Sequence, residues 1–142
     1  MLKQFRVEIE QGFLDKLESR ITGEIFSDFF EMADFLVSEA CFDAAAVMAG
    51  GVLEEHLIKL CISQGTPLTR VDSSGRAVNK LAANLNDDLK GKLYNKTEYD
   101  SVKVLIQIRN DGAHTGAPTV DQGRAETIIV GVKAFLSRYP LP

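Results

Sequence analysis

Apolar residues recur every three or four positions along almost all of this 142-residue chain, and alternation with a period of two is nearly absent. A period near 3.6 belongs to an α-helix with one face toward a core, so the pattern predicts an all-α fold. In the first segment Phe5, Ile9, Phe13, Leu17 and Ile21 repeat every fourth residue, and Leu14 widens the stripe. A second run brings Ile25, Phe26, Phe29, Phe30, Ala33 and Leu36 to inward positions. Thr22-Gly23 lies between the runs, which read either as one long helix or as two with a bend.

The next helix is "FDAAAVMAGGVLEEHLIKLCISQG", with Asp43 placed to cap its start and Gly65-Thr66-Pro67 to end it. Val47, Gly50, Leu53, Leu57 and Leu60 form its stripe. Gly50 and Gly51 each cost a helix interior about 1 kcal/mol. Small residues kept there imply close approach of another helix, from the same chain or from a second copy. Residues 65–75, "GTPLTRVDSSG", read as the longest loop, followed by a shorter helix over about 76–86 and a turn or half-helix in "DDLKGKLYN". Asn95 or Thr97 can cap the helix "EYDSVKVLIQIRNDGAH", with Val102, Leu105, Ile106 and Ile108 inward. The last helix runs from about Val120 to Tyr139, with Ile128, Ile129, Val132, Phe135 and Leu136 inward and Pro140 as its stop.

The expected architecture is one bundle of about five helices over residues 1–142. Its core spans about 25–140, and an N-terminal helix over 1–24 is either continuous with it or bent from it. No apolar run approaches the roughly 18–20 residues that span a bilayer, so no membrane partner is expected. The N-terminus mixes charged residues with apolar ones from Lys3 onward, unlike a signal peptide, which makes a cytoplasmic location the expectation. Cys41 and Cys61 fall near opposite ends of one helix. Twenty helical residues span about 30 Å, beyond disulfide reach, so both are expected as buried thiols. Neither their spacing nor the two histidines make a metal site, and no cofactor is expected.

Charge is uneven. Residues 1–69 hold five Lys/Arg and twelve Asp/Glu, a net of −7, whereas residues 70–109 hold eight and five, a net of +3. The basic stretch leads into "IRNDGAHTGAP" at 108–118. Arg109 and His114, five apart, point about 140° away from each other on an ideal helix. They converge only if the helix ends or distorts between them, which Gly112 permits. Arg109 would then hold a phosphate through its fork of donors, His114 would move a proton as general base or acid, and Asn110 would supply an orienting amide. The competing reading has Arg109 and His114 satisfying carbonyls at a helix C-terminus. Glu54 reads either as orienting Arg109 or lining the same cleft, or as a structural ion-pair partner. Glu55 and His56 read as solvated. The run of Phe26, Phe29, Phe30 and Phe35 reads as core.

"RNDGAH", followed by one final helix, resembles the arginine–polar–histidine motif of the HEPN superfamily, and "AAAVMAGGVLEEHLIKLC" resembles the second helix of bacterial HEPN-like domains fused to, or encoded near, defence and restriction proteins. The resemblance covers roughly residues 25–140. It implies an α-helical bundle that forms a homodimer with the two motifs facing each other. It also implies either a metal-independent ribonuclease acting through Arg109, Asn110 and His114 or a silent module that binds RNA or a protein partner. Some toxin members carry a tyrosine two residues after the histidine, where this chain has Gly116. That departure tells against toxin-like regulation. Two functions therefore stand open: an RNA-cleaving or RNA-binding dimer, and a catalytically silent dimerisation or interaction module beside a defence or regulatory protein.

Overall fold

A computed structural model describes residues 24–142. Readings that fall on residues 1–23, the Phe5-to-Ile21 stripe and its continuity with the next helix, lie outside the described residues. Among the described residues the chain forms five helices and one small hairpin. They are α1 (residues 24–38), α2 (Phe42–Ser63), β1 (Thr69–Val71), β2 (Ala77–Asn79), α3 (Ala82–Leu89), α4 (Lys96–Gly112) and α5 (Gln122–Arg138). The all-α bundle expected from periodicity is what forms.

α2 is the central helix and packs against α3, α4 and α5. Leu53, Leu57 and Leu60 are buried along it, and Ala45, Ala46 and Ala49 are fully enclosed. α4 buries Val102, Leu105, Ile106 and Ile108, the four positions its pattern predicts. α5 buries Ile128, Ile129, Val132 and Phe135, while Leu136 is only partly covered. Asn95 and Asp121 cap α4 and α5 by accepting hydrogen bonds from the Glu98 and Arg124 amides. Ala46 and Gly50 of α2 serve close approach of α4 within this chain. A Cβ added at Gly112 of α4 would stand 3.1 Å from the Ala46 Cβ and 2.8 Å from the Asp43 carbonyl oxygen.

Several expectations are corrected. The stretch read as a long loop and the start of a helix contains an antiparallel hairpin pairing Thr69 with Asn79, Arg70 with Val78 and Val71 with Ala77. The Asp72 carboxylate builds its turn, accepting from the Ser74 hydroxyl (2.7 Å) and from the Ser74 and Arg76 amides (both 2.9 Å). α3 consequently starts at Ala82 rather than near 76. Asp43 does not cap α2. The N-cap is Cys41, and Asp43 accepts instead from the Val120 amide at 2.9 Å, joining α2 to the segment before α5. Cys61 is buried but Cys41 is exposed. In α1 only Phe26, Phe30 and Ala33 reach the core, whereas Ile25, Phe29 and Phe35 are exposed and Leu36 is partly covered.

His56 was expected in solvent and is 3% exposed. Its Nε2 lies 2.6 Å from the Tyr139 carbonyl oxygen, which only accepts, so Nε2 carries the proton and donates. Nδ1 is then a bare lone pair, buried without a partner. Burial pushes the His56 pKa below its ordinary value; the bond to Tyr139 opposes this, and nearby Lys59 adds to it. An unfolded chain therefore takes up this proton before the folded one does. This residue's contribution to stability is expected to be intact above about pH 6.5 and to decline as pH falls below it. Urea unfolding between about pH 8 and pH 5 measures the decline. In His56→Gln, whose side-chain amide can still donate to Tyr139, that component of the slope should vanish.

Candidate functional site

Arg109 lies in the last turn of α4. Its aliphatic stem crosses the backbone of α2 at Gly50, where an added Cβ would run into Arg109 Cβ and Cγ. The guanidinium then reaches Glu54, one turn further along α2, with Nη2 3.8 Å from Oε2. Nη1 donates to Asn110 Oδ1 at 3.3 Å, and Nε is buried without a partner. Both partners of the Glu54–Arg109 pair are 38% exposed, so the attraction between them is screened and contributes roughly 0–1 kcal/mol. Packing over Gly50 therefore does more to place the arginine than charge does. Glu54 stands beside the Arg109 guanidinium as its ion-pair partner.

His114 stands apart. α4 ends at Gly112, and the His114 amide donates to the Asp111 carbonyl at 3.2 Å. The ring is exposed, with Nδ1 3.0 Å from the carbonyl oxygen of Thr115. Among the described residues no hydrogen bond joins His114 to Arg109, Asn110 or Glu54. The fold thus brings Arg109, Asn110 and Glu54 together and leaves His114 on the following loop.

Both ends of that loop are pinned by residues to which the motif assigned no role. Asp111 accepts from Arg124 Nη2 at 2.6 Å and from Gln107 Nε2 at 2.9 Å, and its carbonyl accepts from the Thr119 hydroxyl at 2.8 Å. The Arg124 guanidinium, helped by the Gln107 amide, holds the Asp111 carboxyl below the usual carboxylate range. At the far end the Val120 amide is held by Asp43. Asp111 sits inside the quoted motif, but nothing in the spacing of Arg124 or Asp43 announces either contact.

A wide apolar groove lies elsewhere. Between α1 and α2 runs a groove of about 710 Å³, with Ile25, Phe29 and Leu36 on one wall and Ala44, Val47 and Gly51 on the other. A Cβ at Gly51 would meet nothing within 4 Å, in contrast to its neighbour Gly50. Phe29 is 41% exposed and Phe35 56%, and Ile25 and Met32 are exposed as well. Periodicity assigned Phe29 to the core because it cannot distinguish a face packed in the bundle from one left open.

Among the described residues no three His, Cys, Asp or Glu side chains come together as a metal site, and no helix is long and apolar enough to cross a membrane. Comparison of the chain with family models, with curated proteins and with solved structures finds no match.

Proposed function

We propose that this chain is a HEPN-like helical module that works by binding another protein, and that its working surface is the groove between α1 and α2. The carrying observation is the groove itself, an apolar cleft with the exposed Ile25 and Phe29 on its α1 wall, on a helix that also leaves Met32 and Phe35 exposed. A helix apolar on two faces needs a partner for each, and α1 has the bundle for only one. The motif arginine, in contrast, is already engaged within the chain by Gly50, Glu54 and Asn110.

A second reading keeps the RNA-directed dimer. Its support is that His114 is exposed just beyond the helix whose last turn carries Arg109, on a loop tied at both ends. One motif offers a single base or acid, and two motifs near a two-fold axis would supply both. One set of measurements separates the readings. An apolar fluorescent dye should bind the full chain saturably, and Phe29→Glu should abolish that binding while thermal unfolding stays within a few degrees. Undiminished dye binding in Phe29→Glu would remove the groove reading. Metal-free RNA cleavage that is lost in both Arg109→Ala and His114→Ala, by a species with the mass of two chains, would put the RNA reading in its place.

A further inference from the structure

The groove combines an apolar floor with an acidic flank on the α1 side, and Glu55 and Lys59 line it on α2. From Glu24 to Ile58 the chain holds eight acidic residues and neither Lys nor Arg. At about 100° per residue, Ile25, Phe29, Met32 and Leu36 share one face of α1. Asp28 and Glu24 follow on the flank turned away from the buried Phe26, Phe30 and Ala33, and both are exposed, whereas Glu31, further round the helix, lines a separate cleft with Lys133. Across the groove Glu55 is exposed on the α2 wall, and Lys59 is the cation among the lining residues.

This border selects among occupants. A second copy docking through the same face would set the acidic flank of one α1 against that of the other, and like charges brought together at an interface are costly. A helix with large apolar residues at i, i+3 or i+4, and i+7 fits such a groove by the helix-in-groove mode, and its own flanks then meet the border. Met48 beneath the groove and Met32 beside it can adjust to the shape of an incoming side chain.

We propose that the α1–α2 groove receives a basic amphipathic helix from a partner protein, with its apolar residues seated between α1 and α2 and its Lys/Arg residues along Asp28 and Glu55. The proposal rests on the protein-binding reading above and adds the sign of the partner's charge.

The test titrates the full chain with three synthetic helical peptides that share the same Leu and Phe positions. One carries Lys/Arg on its flanks, one Gln/Ser and one Glu/Asp. The basic peptide is expected to bind at least about tenfold more tightly than the neutral one, and the acidic peptide more weakly than either. The basic advantage should shrink as ionic strength rises from about 0.05 to about 0.5 M, because exposed charges are screened. Gly51→Leu fills the groove without changing charge and should abolish binding of the basic peptide. Glu55→Lys leaves the groove open and should cut its advantage several-fold. Equal binding of all three peptides would overturn the charge inference while leaving the groove as a binding site. Basic-peptide binding that survives Gly51→Leu would show attraction to the acidic surface rather than to the groove, and would overturn the proposal. If no peptide binds and the chain has the mass of two copies, the occupant is a second copy. If no peptide binds and the chain is monomeric, the protein-binding reading fails as well.

Discussion

Phe135→Ala is expected to destabilise the fold by about 3–5 kcal/mol, the usual cost of removing a fully buried phenylalanine. The ring has no exposed surface and stands in the middle of an aromatic cluster. The His56 ring meets it edge-on at 5.9 Å and 84°, Tyr94 at 6.0 Å and 78°, and Tyr139 leans over it at 5.2 Å and 43°. Removing it leaves a void and also unseats His56, whose hydrogen bond to the Tyr139 carbonyl fastens the C-terminal residues to α2. Domains of ordinary stability have about 5–15 kcal/mol in total, so the variant should be unfolded or nearly so at moderate urea concentration. Phe29→Ala supplies the contrast on α1, where 41% of the residue is exposed, and should stay within about 0.5–1 kcal/mol of the parent chain. If the two variants lose stability equally, Phe29 is covered in solution, and the groove it borders is already filled.

That contrast also shows where the sequence is readable. In α4 and α5 the apolar spacing, the caps and the stops are local properties, and the buried positions follow from them directly: Val102, Leu105, Ile106 and Ile108 in one helix, Ile128, Ile129, Val132 and Phe135 in the other. The hairpin escapes such reading because its burial gives no alternation. β1 is exposed throughout and β2 buries only part of Val78, so its pairing depends on a turn built by one aspartate. His56 is invisible for another reason. A histidine beside two glutamates looks solvated until α5 and the Tyr139 carbonyl close over it. Of the candidate site, the Glu54–Arg109 association is consistent with both sequence readings, Glu54 at the arginine's cleft or Glu54 as a structural ion-pair partner. The separation of His114 from Arg109 is set by where α4 ends and by the Asp111–Arg124 contact, which joins residues thirteen positions apart.

Neighbouring glycines at 50 and 51 are expected to respond to alanine with opposite signs. Both lie in the interior of α2, and in a helix alanine is better than glycine by about 0.8–1 kcal/mol. At Gly51 that preference acts alone, because an added Cβ meets nothing within 4 Å, so Gly51→Ala should stabilise by up to about 1 kcal/mol. At Gly50 the new Cβ would stand 2.5 Å from the Arg109 Cβ and collide with its Cγ. A Cγ can be relieved by rotating the side chain, but a Cβ moves only with the backbone, so α4 must shift away from α2. Overpacking of this kind costs roughly 1–3 kcal/mol, and that range, with the propensity term cancelling, is the expected gap between the two variants. Guanidinium chloride unfolding measures the gap, and heteronuclear NMR should show the shift as changes along Ile108–Gly112. Arg109→Ala in the Gly50→Ala background removes the Cγ collision but keeps the Cβ one, so it should restore only part of the loss. Full restoration would mean that Arg109's side chain, not the approach of the two backbones, sets the distance between α2 and α4. The arginine would then be a spacer of the bundle, and its guanidinium would face Glu54 as a consequence of packing rather than of any ligand it binds.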